Sequence, residues 1–83
     1  MSLIKDMQMS AYAVLMIFDV VIEREPDSTV LVGSVPAVRG AYTQGGSTQE
    51  VLERLSEVLH LLASEGLVAL DGGIEFRVSS LDT

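Results

Sequence analysis

The chain has 83 residues, no cysteine and a formal net charge of −7, from twelve acidic and five basic residues. This length allows one small domain, and the lack of cysteine excludes disulfide bonds and thiolate metal sites. The five basic residues are scattered, which argues against direct DNA or RNA binding, because clustered lysine and arginine are needed to neutralise phosphates. An acidic surface can attract a basic protein partner, and acidity that only aids solubility explains the charge equally well.

The N-terminal region is interpreted as an extension, residues 1–15, ahead of a single domain, residues 16–83. Apolar residues recur at helical spacing in the extension and predict a short helix there, and the opening Met-Ser-Leu is typical of a cloning remnant. The apolar run Ala11–Ile22 has twelve residues and contains Asp19, so it is shorter than the ~20 residues of a membrane-spanning helix. No small-residue cleavage site follows it, as one would in a signal peptide. We therefore expect a cytoplasmic protein with no membrane contact.

Two strands are predicted in the first half of the domain. Residues Ile17–Arg24 carry apolar side chains toward both faces, which indicates a strand in the middle of a sheet. A Pro-Asp-Ser turn at residues 26–28 follows, and the apolar stretch Thr29–Val35 is predicted to return as the second strand of an antiparallel hairpin. Pro36 ends this strand because proline has no backbone N–H to donate to a neighbouring strand.

A short third strand, Ala41–Gln44, precedes the strongest pattern in the chain, which predicts a helix over Thr48–Ser64. The apolar residues of this helix lie on about one third of its circumference; they are Val51, Leu52, Leu55, Val58, Leu59 and Leu62. Ser47 and Glu50 have the S-x-x-E spacing of a capping box, and Gly45 allows the loop to approach the helix closely. The sequence therefore predicts a capped helix entrance in this loop.

Gly66 suits the left-handed residue that closes a helix. Residues Leu67–Leu70 are predicted to form a brief strand, residues 71–73 a turn, and Ile74–Val78 the last strand. The predicted architecture is an α+β sheet of order β-β-β-α-β with one main helix on one face. The second strand is apolar toward both faces, through Val30, Leu31, Val32 and Val35. Because one helix covers one face, we expect a second copy to cover the other, in a homo-dimer or tetramer.

No arrangement of residues predicts chemistry. The Gly-Gly pair before the helix resembles the start of a phosphate-binding loop, but no lysine follows it, so the helix cap is the more economical explanation. His60 is the one histidine, and it lies on the solvent side of the predicted helix. Asp19, Glu57 and Asp71 are the carboxylates that a divergent magnesium-dependent nuclease would need, which is the weakest alternative. We predict no catalytic, cofactor-binding or metal-binding residue.

The order of turns and caps resembles a known family. Residues 18–59 resemble the HicB-like antitoxin domain, a small domain of the UPF0150 type, in which a Val-Val-Ile-Glu strand is followed by a proline-glycine turn and a T-x-G-D-T-x-E-E-A helix entrance. The residues on matching positions are Pro36, Val38, Gly40, Thr43, Gly45, Ser47 and Glu50. The sequence departs from the family pattern at Ala37, Arg39, Ala41 and Gly46, where the family typically has aspartate, proline, cysteine and aspartate.

This resemblance implies a partial ribonuclease H-like fold with the last strand beside the first. It also implies an antitoxin that binds and silences a small messenger-RNA-cleaving toxin of the HicA type. Five residues follow Val78, too few for the DNA-binding segment that many members carry, so autorepression is not expected. The acidic turn of Glu23, Glu25 and Asp27 is the predicted partner-facing site, with a solvated hairpin end as the alternative. An orphan structural or regulatory domain with no toxin is the alternative function.

Overall fold

The computed structural model describes residues 15–70 and 72–80. The elements are the strands β1 (Leu15–Arg24), β2 (Leu31–Ser34) and β3 (Tyr42–Gly45), the helix α1 (Thr48–Ser64) and the strand β4 (Gly73–Ser80). This is the α+β order β-β-β-α-β that the sequence predicts. The helix predicted within residues 1–15 falls almost wholly outside the described residues, and β1 begins at the last of them.

The four strands form one sheet in the order β3-β2-β1-β4. β1 pairs antiparallel with β2, through Ile22 opposite Gly33, and parallel with β4, through Phe18 opposite Phe76. β2 pairs antiparallel with β3. β1 therefore has a neighbour on each side, as its apolar faces predict, and the last strand lies beside the first, as the family resemblance implies.

The core lies between α1 and one face of the sheet. Alternate residues of β1 point toward the helix, so Phe18, Val20 and Ile22 are buried while the residues between them are not. The predicted helix stripe contacts this face: Val51, Leu55 and Leu59 are fully buried, and Leu52, Val58 and Leu62 pack beside them half-exposed. Burying each large side chain stabilises the fold by about 1.5–3 kcal/mol.

A glycine sets how closely the helix approaches the sheet. Gly33 of β2 faces α1, and a Cβ atom at this position would overlap Cγ1 of Val51. Leu55 Cδ1 and Ile22 Cγ1 would lie 3.5 and 3.7 Å from that atom. The missing side chain therefore gives the helix the space that it occupies against β2.

The helix begins and ends on specific hydrogen bonds. The Ser47 hydroxyl accepts a hydrogen bond of 3.1 Å from the Glu50 N–H, which makes Ser47 the N-cap. At the other end Gly66 has a φ of +77°, and its N–H donates to the Ala63 carbonyl while the Leu67 N–H donates to the Leu62 carbonyl, at 3.0 and 2.9 Å. This is the hydrogen-bond pattern of a Schellman motif, and it gives α1 the predicted bounds.

The structure differs from the sequence prediction in the segment after the helix and in the bounds of the strands. Leu67–Leu70 is not a strand, because the Leu67 N–H is used to close α1. The second strand is shorter than predicted, Leu31–Ser34, because the turn before it holds the Val30 N–H on the Ser28 hydroxyl, at 2.9 Å. The last strand is longer, Gly73–Ser80, because β1 offers it eight partner positions.

Candidate interaction surface

The three acidic residues predicted to face a partner lie at one end of the sheet, where β1 turns into β2. Glu23 is near the end of β1, and Glu25 and Asp27 follow in the turn; all three are exposed. The turn is closed by a hydrogen bond of 2.9 Å from the Glu25 N–H to the Val30 carbonyl. Asp27 has a φ of +58°, a left-handed conformation that aspartate tolerates better than most residues. We call these three residues the acidic turn.

Glu23 also belongs to the sheet face opposite α1, which we call the open face. Strand alternation and register place on this face Ile17, Asp19, Val21 and Glu23 of β1, Val32 and Ser34 of β2, Tyr42 and Gln44 of β3, and Glu75, Arg77 and Ser79 of β4. No helix or strand among residues 15–70 and 72–80 packs on it. Ile17 and Tyr42 are 54% and 69% exposed, so the face is apolar as well as charged.

An ion pair crosses the open face between β1 and β4. The Nε atom of Arg77 donates to Oδ1 of Asp19 at 2.6 Å, between side chains that are largely exposed. The hydrogen bond from Arg77 holds the pKa of the Asp19 carboxyl below its usual range, and the same bond raises the pKa of the guanidinium. Asp19 is thus a charged surface group held by its neighbour on the next strand.

The signature turn that carries the family resemblance has a structural role. After β2 the Val38 N–H donates to the Val35 carbonyl and the Ala41 N–H to the Val38 carbonyl, at 3.0 and 3.1 Å. Gly40 has a φ of +87°, which favours glycine, and Pro36 is exposed just after the strand end. One wall of an apolar hollow of about 320 Å³ belongs to this turn; the lining residues are Ala37, Val38, Arg39, Leu67 and Val68.

The loop before the helix binds a carboxylate of the chain itself. The Gly46 N–H donates to Oε1 of Glu50 at 2.6 Å, where a capping box would have the Ser47 N–H as the donor. A Cβ atom at Gly45 would lie 2.9 Å from the same oxygen. Arg54 then joins Glu50, at 3.5 Å, to the Gln44 carbonyl, at 2.8 Å. The loop that resembles an anion site is therefore filled by Glu50 and tied to β3.

The carboxylates of the nuclease alternative do not come together in the described structure. Asp19 lies on the open face, whereas Glu57 lies exposed on α1, on the other side of the sheet, and Asp71 is outside the described residues. The exposed His60 has its Nδ1 atom 2.7 Å from the Ser56 carbonyl, one helical turn away. Among residues 15–70 and 72–80, no three metal-ligating side chains are close enough to hold an ion, and no helix has the length and apolar character to span a membrane.

The sequence patterns missed part of this surface. The second strand is predicted to be apolar toward both faces. In the structure Val32 lies on the open face, whereas Leu31 and the buried Val35, just after the strand, pack toward the core. The sequence gives no local signal for the pairing of Arg77 with Asp19, because 58 residues separate them and only the parallel register brings them together. The exposure of Tyr42 likewise follows from its place on the outer strand β3.

Comparison with known proteins identifies the family. No family model and no solved structure gives a significant match to the chain. A UPF0150 protein of Thermotoga maritima is 45% identical over 49 residues, which cover 59% of this chain and 65% of that protein, just under two thirds of its length. A UPF0150 protein of Synechocystis is 34% identical over 59 residues, which cover 71% of this chain and 81% of that protein. The chain therefore belongs to the UPF0150 family.

Proposed function

We propose that this UPF0150 protein is a non-catalytic binding module of the HicB-like type, which neutralises a small basic RNA-cleaving toxin by protein–protein contact. The toxin class comes from the resemblance of residues 18–59 to HicB-like antitoxin domains. The proposal has no catalytic step, and the contact itself is what silences the toxin. A toxin that cleaves RNA must present positive charge to its substrate, so an acidic protein can compete for the same surface.

The exposed acidic turn carries the proposal. Glu23, Glu25 and Asp27 project from the end of the hairpin, and Glu23 continues onto the open face. The net charge of −7 would attract a basic partner over a distance, and the local acidic residues would orient it. The apolar side chains of Ile17 and Tyr42 on the open face would then supply apolar contact area, which the charged residues of the acidic turn do not provide.

The experiment is co-expression with the product of the short open reading frame beside the gene, followed by purification on a tag carried by one partner. We expect a stable complex and loss of the partner's RNA-cleaving activity on addition of this chain. The double variant Glu23→Lys/Glu25→Lys should weaken the complex about tenfold or more at low salt, because like charges then face each other. High salt should reduce the difference between the variant and the wild type.

A matched control separates the acidic turn from the overall charge. The double variant Glu53→Lys/Glu57→Lys changes the net charge by the same amount, on exposed positions of α1. It should bind the partner nearly as the wild type does. Equal weakening by both double variants would show that the acidic turn is not the contact. Absence of any complex with a basic neighbour, or absence of such a gene, would favour the alternative, an orphan structural or regulatory domain.

A further inference from the structure

The outer edge of β4 is long, and among the described residues it has no strand partner. β4 is the last strand of the sheet on its side, and no other strand among residues 15–70 and 72–80 pairs with that edge. It has eight residues, Gly73–Ser80, whereas β3 at the opposite edge has four. Its sequence contains no proline and no lysine, which are devices that proteins use to protect an edge from pairing with another chain.

We propose that β4 pairs antiparallel with β4 of a second copy of this chain. The two copies are related by a two-fold axis at Phe76, so that Phe76 of one copy lies opposite Phe76 of the other. Two four-stranded sheets then join into one sheet of eight strands. The axis is perpendicular to the sheet, so the two copies of α1 lie on the same side. Such a contact is isologous: both copies use the same strand edge, and every contact between two different positions occurs twice, once on each side of the axis.

The register follows from strand alternation and charge. Opposed residues of an antiparallel pair lie on the same face, whereas adjacent residues of one strand lie on opposite faces. The axis must therefore place one residue opposite its own copy, and not opposite the copy of its neighbour. An axis through Glu75 would oppose two glutamates, and an axis through Arg77 would oppose two arginines. An axis through Phe76 opposes Glu75 to Arg77 twice, once on each side. It also lets nearly the whole length of β4 pair, since Phe76 lies near the middle of the strand.

The apolar face of β4 fits the same register. Ile74 would lie opposite Val78 of the second copy, and Phe76 opposite Phe76. Val78 is 42% exposed, and Ile74 and Phe76 are half-buried at the border of the core. Pairing across the axis would cover these side chains and extend the core layer through an aromatic pair, a favourable cross-strand contact.

The ion pair within the chain is compatible with the contact between chains. Arg77 uses Nε to bind Asp19 on β1. A guanidinium has five N–H donors, so its terminal nitrogens remain able to bind Glu75 of the second copy. Along the open face the order would be Asp19, Arg77, Glu75 of the second copy, with charges that alternate in sign. The contact uses the strand edge and leaves the acidic turn exposed, so it does not depend on the proposed function.

The experiment measures the mass of the whole chain by sedimentation equilibrium. The wild type should dimerise at concentrations up to about 100 µM, a range that populates dimers with micromolar dissociation constants. In the proposed register, position 75 of each copy faces position 77 of the other. Glu75→Arg therefore places like positive charges opposite each other at both contacts, and Arg77→Glu places like negative charges there. Each should raise the dissociation constant about tenfold or more. Glu53→Arg, on an exposed part of α1, makes the same change of charge and should leave the dimer unchanged.

Mixing the two single variants is the decisive test. In a mixed dimer the new arginine at position 75 faces the new glutamate at position 77, and Arg77 of one chain faces Glu75 of the other. Native mass spectrometry should therefore show a one-to-one heterodimer that is tighter than either variant alone, with far-ultraviolet circular dichroism showing that both are folded. A monomeric wild type, a dimer indifferent to both substitutions, or a mixture no tighter than its components would each overturn the proposal.

Discussion

The approach of α1 to Gly33 gives the sharpest prediction about stability. Replacing Gly33 with alanine adds a methyl group where Cγ1 of Val51 already lies. Val51 and Leu55 are both fully buried, so neither side chain can move into solvent to make room. The overlap must be relieved by shifting the helix or by forcing Val51 out of its rotamer.

The expected magnitude combines two opposing effects. Overpacking a well-packed core costs about 1–3 kcal/mol, and replacing a strand glycine with alanine returns about 0.5–1 kcal/mol. The two ranges combine to a net loss in the free energy of unfolding of about 0–2.5 kcal/mol, and because the added methyl group would overlap the fully buried Val51, the expected loss for Gly33→Ala lies in the upper half, about 1–2.5 kcal/mol. In a domain of this size each kcal/mol lowers Tm by about 4–8 °C.

Urea unfolding followed by circular dichroism measures this loss, and a double-mutant cycle tests its cause. Val51→Ala alone should cost about 2 kcal/mol, because it empties part of the core. It also removes the atom that the new methyl group would strike, so the double variant should be more stable than the sum of the two losses by about 1 kcal/mol or more. Additive losses, or a neutral Gly33→Ala, would refute the reasoning.

Gly46→Ala is the matched control for this cycle. Its φ is not positive, and a Cβ atom there would meet Oε1 of Glu50 at 3.6 Å, an ordinary contact. The backbone N–H that donates to Glu50 is kept. The substitution should therefore be neutral or stabilising by up to about 1 kcal/mol.

Three further outcomes follow from the termini of the helix and from the open face. Ser47→Ala should lower the free energy of unfolding by about 1 kcal/mol in the same urea assay, because the first turn of the helix loses its cap. Ser47→Asp should keep most of the wild-type stability, because aspartate can also cap a helix. Gly66→Ala should cost about 1–2 kcal/mol, because alanine is strained at a φ of +77°. Folding lowers the pKa of Asp19 from its ordinary value near 3.8, so the Arg77 pair stabilises the fold above that pH and the stabilisation is lost as the pH falls below it. The stability difference between the wild type and Asp19→Asn should accordingly shrink on acidification and in high salt, and a difference that grows at low pH would contradict this assignment.

The helix could be predicted to the residue because its determinants are local. The cap at Ser47, the apolar stripe and Gly66 all act within one or two turns of the backbone that they control. The strand β1 could be placed in the middle of the sheet because its sequence is apolar toward both faces, a pattern typical of central strands. Its end at Arg24 is as predicted, and only its start differs, at Leu15 instead of Ile17, because β4 offers partners to Leu15 and Met16.

The contacts that are distant in sequence could not be predicted in the same way. The segment Leu67–Leu70 has the composition of a strand, but its first N–H donates to the Leu62 carbonyl and closes the helix. The pair of Asp19 and Arg77 depends on the parallel register of β1 and β4. The sequence indicated that one sheet face would lack a helix, whereas which side chains lie on that face is decided by pairing.

The β4 edge and the acidic turn can serve different partners because they differ in chemistry. The β4 edge presents backbone hydrogen-bonding groups and, at Glu75 and Arg77, charges of opposite sign, so it is complementary to itself. The acidic turn places three carboxylates around Arg24, so it is net negative, which repels the same turn of a second copy and attracts a basic protein. A dimer formed through β4 would carry two acidic turns on one continuous sheet. A protein that binds both turns would gain avidity from the dimer, so Glu75→Arg should weaken the capture of such a partner although that residue does not touch it.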